Sequence, residues 1–355
     1  MNLLLNRRKI KTAVEIAINK ISNKSLYYII EGRNWSVDHD GYSITAGLEY
    51  FSSRVTPTYR GITDSIVHYG SINTFIADGQ LQFPHKSNKV VVTWFHVSRG
   101  DKRTELISRA AKHVDLWHTS CNITRDTLVK LGVPREKTVV IPLGVSLNVF
   151  SMPTPHQKQS IRSKLQIPSE KLVIGSFQKD GNGWGEGLEP KLIKGPDVFC
   201  DVIEKLRREF ELFVLLTGPA RGYVKKRLEE ADIPYLHHFF DNSDDVAEYY
   251  KALDLYIVTS RQEGGPKSIL ESLATGVPLV STRVGMAPDM ITDGENGFLC
   301  SIDNVDEIAR KAAIALDKGA EVKKAIGNGL TLVRDYDWSC IARQYENNLY
   351  RRFLA

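Results

Sequence analysis

Apolar runs of strand length alternate with amphipathic stretches along most of the chain. In the first half, apolar residues dominate 90–95 and 116–119, and each run is followed by a helical spacing of apolar positions, at 103–113 and 122–131. Strands that alternate with helices in this way are typical of a parallel sheet with helices on both faces. The pattern therefore predicts an α/β fold.

The alternation is interrupted at residues 151–165 and then resumes. This segment is polar, contains prolines and has no apolar run of strand length, so we interpret it as a linker. We expect domains at 1–165 and 166–337, because 355 residues are too many for one ordinary core. Further strands are predicted at 26–30, 138–142, 172–177, 212–217, 235–239, 255–258 and 278–282, and further helices at 6–22, 43–53, 195–209, 221–231, 244–252 and 267–275.

Composition restricts the class of protein and its location. Apolar residues make up 42% and charged residues 25% of the chain, as in soluble globular proteins, and no stretch approaches the ~20 apolar residues that span a bilayer. Basic residues begin at Arg7, where a secretion signal would need an apolar run. We expect a cytoplasmic protein.

The net charge of +5 is unevenly distributed. Residues 1–165 hold 23 lysines and arginines against 12 acidic residues, a net charge of +11, whereas the remainder carries −6. A basic surface favours an anionic partner such as lipid headgroups, nucleic acid or a phosphorylated substrate. The alternative is charge that serves only solubility and phosphate attraction within a cleft.

The densest candidate chemistry follows the predicted strand 255–258. Gly264 and Gly265 allow a ligand close to the backbone, and Pro266 begins a helix whose free N–H groups suit a diphosphate. Glu263 precedes this helix and Glu271 lies about one turn inside it, so two carboxylates can accept hydrogen bonds from ligand hydroxyl groups.

This segment resembles the Glu-x7-Glu signature of retaining family-4 (group 1) glycosyltransferases of the GT-B fold. The flanking 254–260, 271–278 and 285–299, and the end of the first half at 139–145, are similar to the same family. The similarity covers roughly 90–355 well and 1–89 weakly. It implies two Rossmann-like, doubly wound domains that face a cleft, with the donor on the second domain and the acceptor on the first.

The resemblance also implies roles for individual residues. Glu263 would hold the donor sugar and Glu271 the ribose, while His96, at the end of a strand, would lie against the donor sugar and Phe240 near the nucleotide base. For His96 and Phe240, packing within the domain is the alternative. The other implied donor contacts are Gly41, Gly264, Gly265, Pro266, Lys267 and Ser268.

One departure from the family concerns the cations that neutralise the leaving diphosphate. The family places an arginine soon after the first strand of the donor domain, where this chain has Phe177 or Gln178. Lys194 fits the family's lysine, and Lys179 is a candidate replacement for the arginine. Residues 180–193 are interpreted as a glycine-rich insertion, either a mobile lid or a simple loop.

Two further features concern metals and domain packing. Asp38-x-Asp40 mimics the metal-binding pair of GT-A transferases, but a turn-forming role is favoured, and we expect no metal and no cofactor beyond a UDP- or GDP-sugar co-substrate. Trp338 resembles the family's closing tryptophan, which implies that residues 338–355 return to the first domain.

These features together predict a retaining glycosyltransferase that acts on a hydroxyl group of a glycan or a lipid-linked saccharide. A peripheral contact with an anionic membrane is a further hypothesis, and no nucleic-acid partner is expected. The alternative is a non-catalytic nucleotide-sugar-binding protein, which the missing arginine would suit. A dinucleotide oxidoreductase is disfavoured because the chain lacks Gly-x-Gly-x-x-Gly after a first strand.

Overall fold

The computed structural model describes residues 2–33, 35–98, 100–240 and 243–354. The chain divides into two compact units. Unit 1 comprises Met1–Gly144 and Trp338–Ala355, and unit 2 comprises Val145–Asp337. Each contains a six-stranded sheet in which all neighbouring strands are parallel, as the alternating pattern predicts.

The sheet of unit 1 has the strand order β2-β1-β3-β6-β7-β8. The strands of this unit are β1 (Leu26–Ile29), β2 (Ser53–Thr56), β3 (Ile66–Tyr69), β4 (Ile76–Ala77), β5 (Gln80–Leu81), β6 (Lys89–Thr93), β7 (Leu116–Thr119) and β8 (Thr138–Val140), of which β4 and β5 form a separate antiparallel pair. The α-helices of unit 1 that precede residue 145 are α1 (Asn2–Ser22), α2 (Ser36–Ala46), α3 (Ile72–Phe75), α4 (Ile107–Ala110) and α5 (Asn122–Lys130). Strand β1 is buried along its whole length, as expected for a strand covered on both faces.

The sheet of unit 2 has the order β11-β10-β9-β12-β13-β14. Its strands are β9 (Leu172–Phe177), β10 (Leu212–Thr217), β11 (Tyr235–His238), β12 (Leu255–Val258), β13 (Leu279–Thr282) and β14 (Phe298–Cys300). The chain winds outward in one direction from β9 to β11 and then in the other from β12 to β14. The point of reversal between β9 and β12 is where doubly wound sheets bind their ligands.

The helices of unit 2 begin within the segment that we interpreted as a linker. They are α6 (Pro155–Lys164), α7 (Pro196–Leu206), α8 (Gly222–Glu230), α9 (Val246–Ala252), α10 (Lys267–Ala274), α11 (Ala287–Met290), α12 (Val305–Asp317) and α13 (Ala320–Leu332). The linker interpretation of 151–165 is wrong, because Thr154 caps α6, and Lys158 and Arg162 form ion pairs with buried Asp254. The units divide at Gly144 rather than at residue 165.

The chain ends in unit 1 with α14 (Trp338–Asn348), which is joined to the sheet by buried polar contacts. The Tyr350 hydroxyl lies 2.7 Å from Nδ1 of His68, and the Tyr345 hydroxyl lies 3.1 Å from Nε2 of His118. Thr93 links the two imidazoles at 2.8 and 2.9 Å. A fully satisfied network of this kind specifies how the terminal segment packs on the sheet of its own unit.

Several boundaries differ from the sequence prediction. Strands β2 and β3 were not predicted, α2 begins earlier than the predicted helix at 43–53, and α4 is shorter than the predicted 103–113 because 3₁₀ helix occupies Lys102–Leu106. Across the described part of the chain, none of the helices has both the length and the apolar character needed to cross a bilayer.

Candidate active site

The candidate site lies at the carboxyl ends of β9 and β12. Lys179 follows β9 and Glu263 follows β12, so the topological switch point brings together segments that are far apart in sequence. Loops at this edge of a doubly wound sheet form its ligand-binding crevice. The predicted donor residues of unit 2 are therefore placed where the fold binds ligands.

Lys194 and Glu263 form an ion pair. Nζ of Lys194 lies 2.5 Å from Oε1 of Glu263, and the Ser260 hydroxyl donates to the same oxygen at 2.8 Å. The side chains are 23% and 11% exposed, so the pair is largely withdrawn from water while remaining reachable. A carboxylate held in this way can accept a hydrogen bond from a sugar hydroxyl, and the adjacent ammonium can bind phosphate.

The two loops that carry this pair are joined by backbone contacts. Gly195 has φ +64°, and a Cβ there would overlap the carbonyl oxygen of Thr259, whose hydroxyl donates to the Gly195 carbonyl at 2.8 Å. The N–H of Arg261 donates to the Ile193 carbonyl at 2.9 Å. Glycine at 195 is required by both the left-handed backbone and the close approach.

Glu271 is oriented by a tyrosine that sequence reasoning missed. The hydroxyl of fully buried Tyr250 donates to Oε2 of Glu271 at 2.8 Å. Burial raises the pKa of Tyr250, and the charge of Glu271 raises it further, so the phenol remains a hydrogen-bond donor. Lys267 and Ser268 form the first turn of α10, and Gly264 is buried while Gly265 and Pro266 are partly exposed.

Phe177 and Gln178, at the position where the family has its arginine, both serve packing. The Phe177 ring lies 4.8 Å from that of Tyr250 and 5.4 Å from that of Tyr256, both edge-on. The Gln178 amide donates to the Lys194 carbonyl at 3.2 Å. Neither side chain can supply positive charge to a ligand.

The insertion forms a hairpin that packs on the start of α8. Gly181 pairs with Pro190 in an antiparallel bridge, and the carbonyls of Glu186 and Gly187 accept hydrogen bonds from the first N–H groups of α8. At Gly187, with φ +77°, a Cβ would overlap the backbone of Ala220. Close docking onto the start of α8 therefore explains a glycine here.

A buried ion pair anchors the base of this insertion. Nε of Arg221 lies 3.0 Å from Oδ1 of Asp180, and both side chains are almost completely buried. Burial raises the pKa of Asp180, and the charges of Arg221 and Lys194 oppose that shift. Nothing in the sequence pattern distinguished Arg221 from a surface arginine at a helix start.

Lys179 and Lys191 carry further positive charge close to the Lys194–Glu263 pair. Nζ of Lys179 lies 3.5 Å from the centre of the Trp184 ring, a cation–π contact within the insertion. Burial lowers the pKa of Lys191, and the ammonium groups of Lys194 and Lys179 lower it further while Glu263 opposes them. Lys191 was not among the predicted residues.

Phe240 lies against residues of its own unit. Its ring stacks on His238 at 4.7 Å and meets Tyr249 edge-on at 4.7 Å, and it stays partly exposed. This packing matches the alternative of an aromatic residue at a strand end. A contact with a nucleotide base stays a prediction.

The predicted residues of unit 1 have different surroundings. His96 lies in the loop after β6, where its carbonyl accepts from the indole of Trp94 at 3.0 Å. Gly41 lies inside α2, and a Cβ there would come within 2.6 Å of the Tyr28 ring, so packing explains this glycine. Asp38 forms the turn after β1 by accepting from the N–H groups of Glu31 and Arg33 at 2.7 and 2.8 Å.

Unit 1 has a cleft of about 1030 Å³ near the carboxyl ends of β1 and β2. Polar residues line it, among them Glu31, Arg33, Tyr59, Arg60, Asn73 and Gln82. These are groups that hydrogen-bond to saccharide hydroxyls and to anions. In the described residues no group of three or more His, Cys, Asp or Glu side chains could hold a metal ion.

Comparison with known proteins agrees with the predicted fold. Residues 188–330 match the family described as glycosyl transferases group 1. The chain is 28% identical over 214 residues to the lipopolysaccharide core biosynthesis mannosyltransferase LpsB of Rhizobium meliloti, covering 58% of this chain and 57% of LpsB. It is 28% identical over 219 residues to the D-inositol 3-phosphate glycosyltransferase of Xylanimonas cellulosilytica, covering 57% of this chain and 49% of that protein. The chain thus spans about half the length of these curated relatives.

A solved structure resembles almost the whole chain. The Anabaena protein Alr3699/HepE, in complex with UDP and glucose, superposes with a TM-score of 0.74 at 15% sequence identity, covering 92% of this chain and all of that one. The two parallel-sheet units have the GT-B architecture, as the sequence predicted. The segment that matches the group 1 glycosyltransferase family lies entirely within unit 2.

Proposed function

We propose that this chain is a glycosyltransferase that moves a sugar from a nucleotide-diphosphate sugar to a hydroxyl group of a glycan or a lipid-linked saccharide. The observation that carries the proposal is the convergence at one edge of unit 2 of Glu263, Glu271 and Lys194 with the start of α10. The carboxylate of Glu263 suits a sugar, the oriented carboxylate of Glu271 suits a ribose, and the ammonium of Lys194 suits a diphosphate.

The reaction breaks the bond between the anomeric carbon and the diphosphate oxygen and forms a bond from that carbon to the acceptor oxygen. The hydroxyl proton of the acceptor leaves with the nucleoside diphosphate. Negative charge grows on the departing diphosphate, and the lysine ammonium groups and the N–H groups at the start of α10 stabilise it there. We propose retention of the anomeric configuration, which the family resemblance supports.

The acceptor is proposed to bind unit 1. Its cleft near β1 and β2 is large enough for a saccharide, and Arg33 and Arg60 would favour an acceptor that carries negative charge. LpsB and the D-inositol 3-phosphate glycosyltransferase are named for a lipopolysaccharide core and a phosphorylated acceptor, which agrees with this choice. His96 remains a proposed contact of the donor sugar, and Gly41 is not retained in the proposed site.

One observation favours a second candidate, a non-catalytic protein that binds nucleotide sugars. Phe177 is packed among tyrosine rings, so the arginine that the resemblance implies is absent at this position. Turnover separates the two candidates, because a binding protein would retain its ligand unchanged. Positive charge supplied to the diphosphate from another part of the chain would instead favour the enzyme.

The test is incubation of the purified protein with UDP- and GDP-sugars, with and without a lipopolysaccharide-derived or phosphorylated acceptor, followed by NMR of the products. We expect release of nucleoside diphosphate and a product with the anomeric configuration of the donor. Tight donor binding without turnover for any donor would support the binding protein instead. An inverted product would contradict retention while leaving glycosyl transfer intact.

A further inference from the structure

Helix α1 carries an exposed apolar stripe. Ile10, Val14 and Ile21 are 63, 51 and 81% exposed, and Ala17 between them is exposed as well. Their spacings of four, three and four residues place these side chains in one line along about three turns of the helix. Contiguous apolar surface of this kind marks an interaction site, whereas single exposed apolar residues do not.

The opposite face of α1 holds the helix on unit 1. The amide of buried Asn19 donates to two backbone carbonyls in the loop after β2, at 2.9 and 3.1 Å, and Glu15 pairs with Arg54 of β2 at 2.7 Å. Ala17 and Ile21 each follow one of these anchoring residues by two positions, which is about 200° around a helix. The stripe therefore faces away from the unit to which the helix is attached.

Lysines border the stripe on both sides. Lys11 follows Ile10 by one residue and Lys20 precedes Ile21 by one, so at about 100° per residue they lie on opposite sides of the line. Both lysines are exposed. The helix holds five basic residues against one acidic residue, and that residue is Glu15, which is paired on the inner face. The outer face of α1 is therefore apolar along its centre and positive along its borders.

This arrangement fits an anionic lipid surface. Apolar side chains of such a helix enter the boundary between headgroups and acyl chains, while the lysine stems extend sideways and bring their ammonium groups to lipid phosphates. A basic helix with one apolar face is typical of segments that lie on membranes. A second copy packed on the same stripe would instead bring lysines together, and like charges repel.

The stripe adjoins the cleft of unit 1. Ile10 and Val14 line that cleft together with polar residues that include Glu31, Arg33 and Asn73. A helix that lies in the plane of the interface would therefore hold the cleft beside the lipid headgroups. A saccharide whose lipid anchor stays in the bilayer could then reach the polar part of the cleft.

We propose that α1 is an interfacial helix that docks unit 1 on an anionic bilayer, where the cleft receives a lipid-linked acceptor. Docking on the bilayer is independent of the donor chemistry, whereas the choice of a lipid-linked acceptor rests on the proposed function. The apolar stripe supplies insertion between the lipids, and Lys11 and Lys20 supply the preference for negative charge.

The test is co-sedimentation of the full chain, without nucleotide, with vesicles of phosphatidylcholine alone or of phosphatidylcholine mixed with phosphatidylglycerol. We expect binding to the anionic vesicles that is at least about tenfold tighter than to the neutral ones. Ile21→Gln should weaken that binding about tenfold and Lys20→Gln about fivefold. The matched controls Ile314→Gln and Lys323→Gln, at exposed positions on helices of unit 2, should change it less than about twofold.

Equal sedimentation with neutral and anionic vesicles, or none with either, would overturn the inference. So would Ile21→Gln and Lys20→Gln variants that bind as their controls do, provided that thermal unfolding shows all four to be folded. A dimer of the unaltered protein that Ile21→Gln dissociates would show that a second copy covers the stripe, and the inference would be wrong. Turnover of UDP- and GDP-sugars without vesicles tests the proposed function separately, because its failure would leave vesicle binding unaffected.

Discussion

Replacing Glu263 by glutamine separates the two tasks that the proposal assigns to the Lys194–Glu263 pair. The amide keeps an oxygen that can accept from Ser260, so the local shape is preserved. What is lost is the negative charge beside Lys194. The variant should therefore be less stable without ligand while retaining its attraction for a diphosphate.

The magnitude follows from how exposed the pair is. Exposed ion pairs contribute up to about 1 kcal/mol, and breaking a buried pair costs about 3–5 kcal/mol. With the two side chains 23% and 11% exposed, we expect Glu263→Gln to cost about 1–2 kcal/mol. For a unit of this size that lowers the thermal midpoint by roughly 2–8 °C.

The assay combines thermal unfolding, UDP or GDP titration and turnover. We expect the lower midpoint, nucleoside diphosphate affinity equal to or tighter than that of the unaltered protein, and transfer reduced by about a hundredfold because a sugar contact is lost. Glu211→Gln, which alters an exposed pair with Lys171, is the control and should leave all three unchanged. The prediction is wrong if the thermal midpoint and the turnover are both unchanged. It is also wrong if the affinity for the nucleoside diphosphate falls as much as the turnover does.

Three further predictions follow from buried groups. Tyr250→Phe should weaken nucleoside diphosphate binding by about three- to tenfold, measured by calorimetry, because Glu271 loses its hydrogen bond. Arg221→Lys should lower the free energy of unfolding by about 3–5 kcal/mol in urea denaturation, because lysine cannot satisfy Asp180 and three carbonyls at once. Burial lowers the pKa of His118 to about 4 from 6.5, and burial also lowers the pKa of His68, so the unfolded chain takes up protons first. The contribution of His118 to the free energy of unfolding should be fully present above pH 6.5 and fall by up to about 1.4 kcal/mol per pH unit towards pH 4, and His68 should add to this fall.

Each of these predictions has a matched control within the chain. Tyr249→Phe changes a neighbouring tyrosine that packs on Phe240, and it should alter nucleotide affinity less than about twofold. Arg227→Lys alters an arginine in partly exposed ion pairs and should cost less than about 1 kcal/mol. His85→Gln, at an exposed site, should leave the pH dependence of stability unchanged, and a urea midpoint constant from pH 7 to 5 would contradict the assignment to His118.

The strands of the sheets could be predicted where burial on both faces gives an uninterrupted run of apolar residues. Strands β9, β10 and β12 are apolar runs buried on both faces, and the sequence places them almost residue for residue. Strand β2 was not predicted because it is an edge strand of polar composition. Helix α6 was not predicted because ion pairs rather than an apolar stripe hold it in place. Its capping box at Thr154 and Gln157 is nevertheless a sequence pattern that indicates the start of a helix.

The site was predictable only where one local segment carries it. Glu263 and Glu271 lie in a single strand–loop–helix unit, so spacing and resemblance could single them out as candidates, and their roles stay predictions. Tyr250 lies on α9, and it reaches Glu271 because α9 packs beside α10, which sequence spacing does not encode. Gly41 shows the converse, since a glycine in a plausible place proved to serve packing against Tyr28.

The most direct test is a crystal structure of the protein with UDP or GDP bound. We expect the ribose hydroxyls within hydrogen-bond distance of Glu271, and the diphosphate between the start of α10 and the ammonium group of Lys194. A nucleotide bound elsewhere, or a diphosphate that none of these groups contacts, would contradict this expectation.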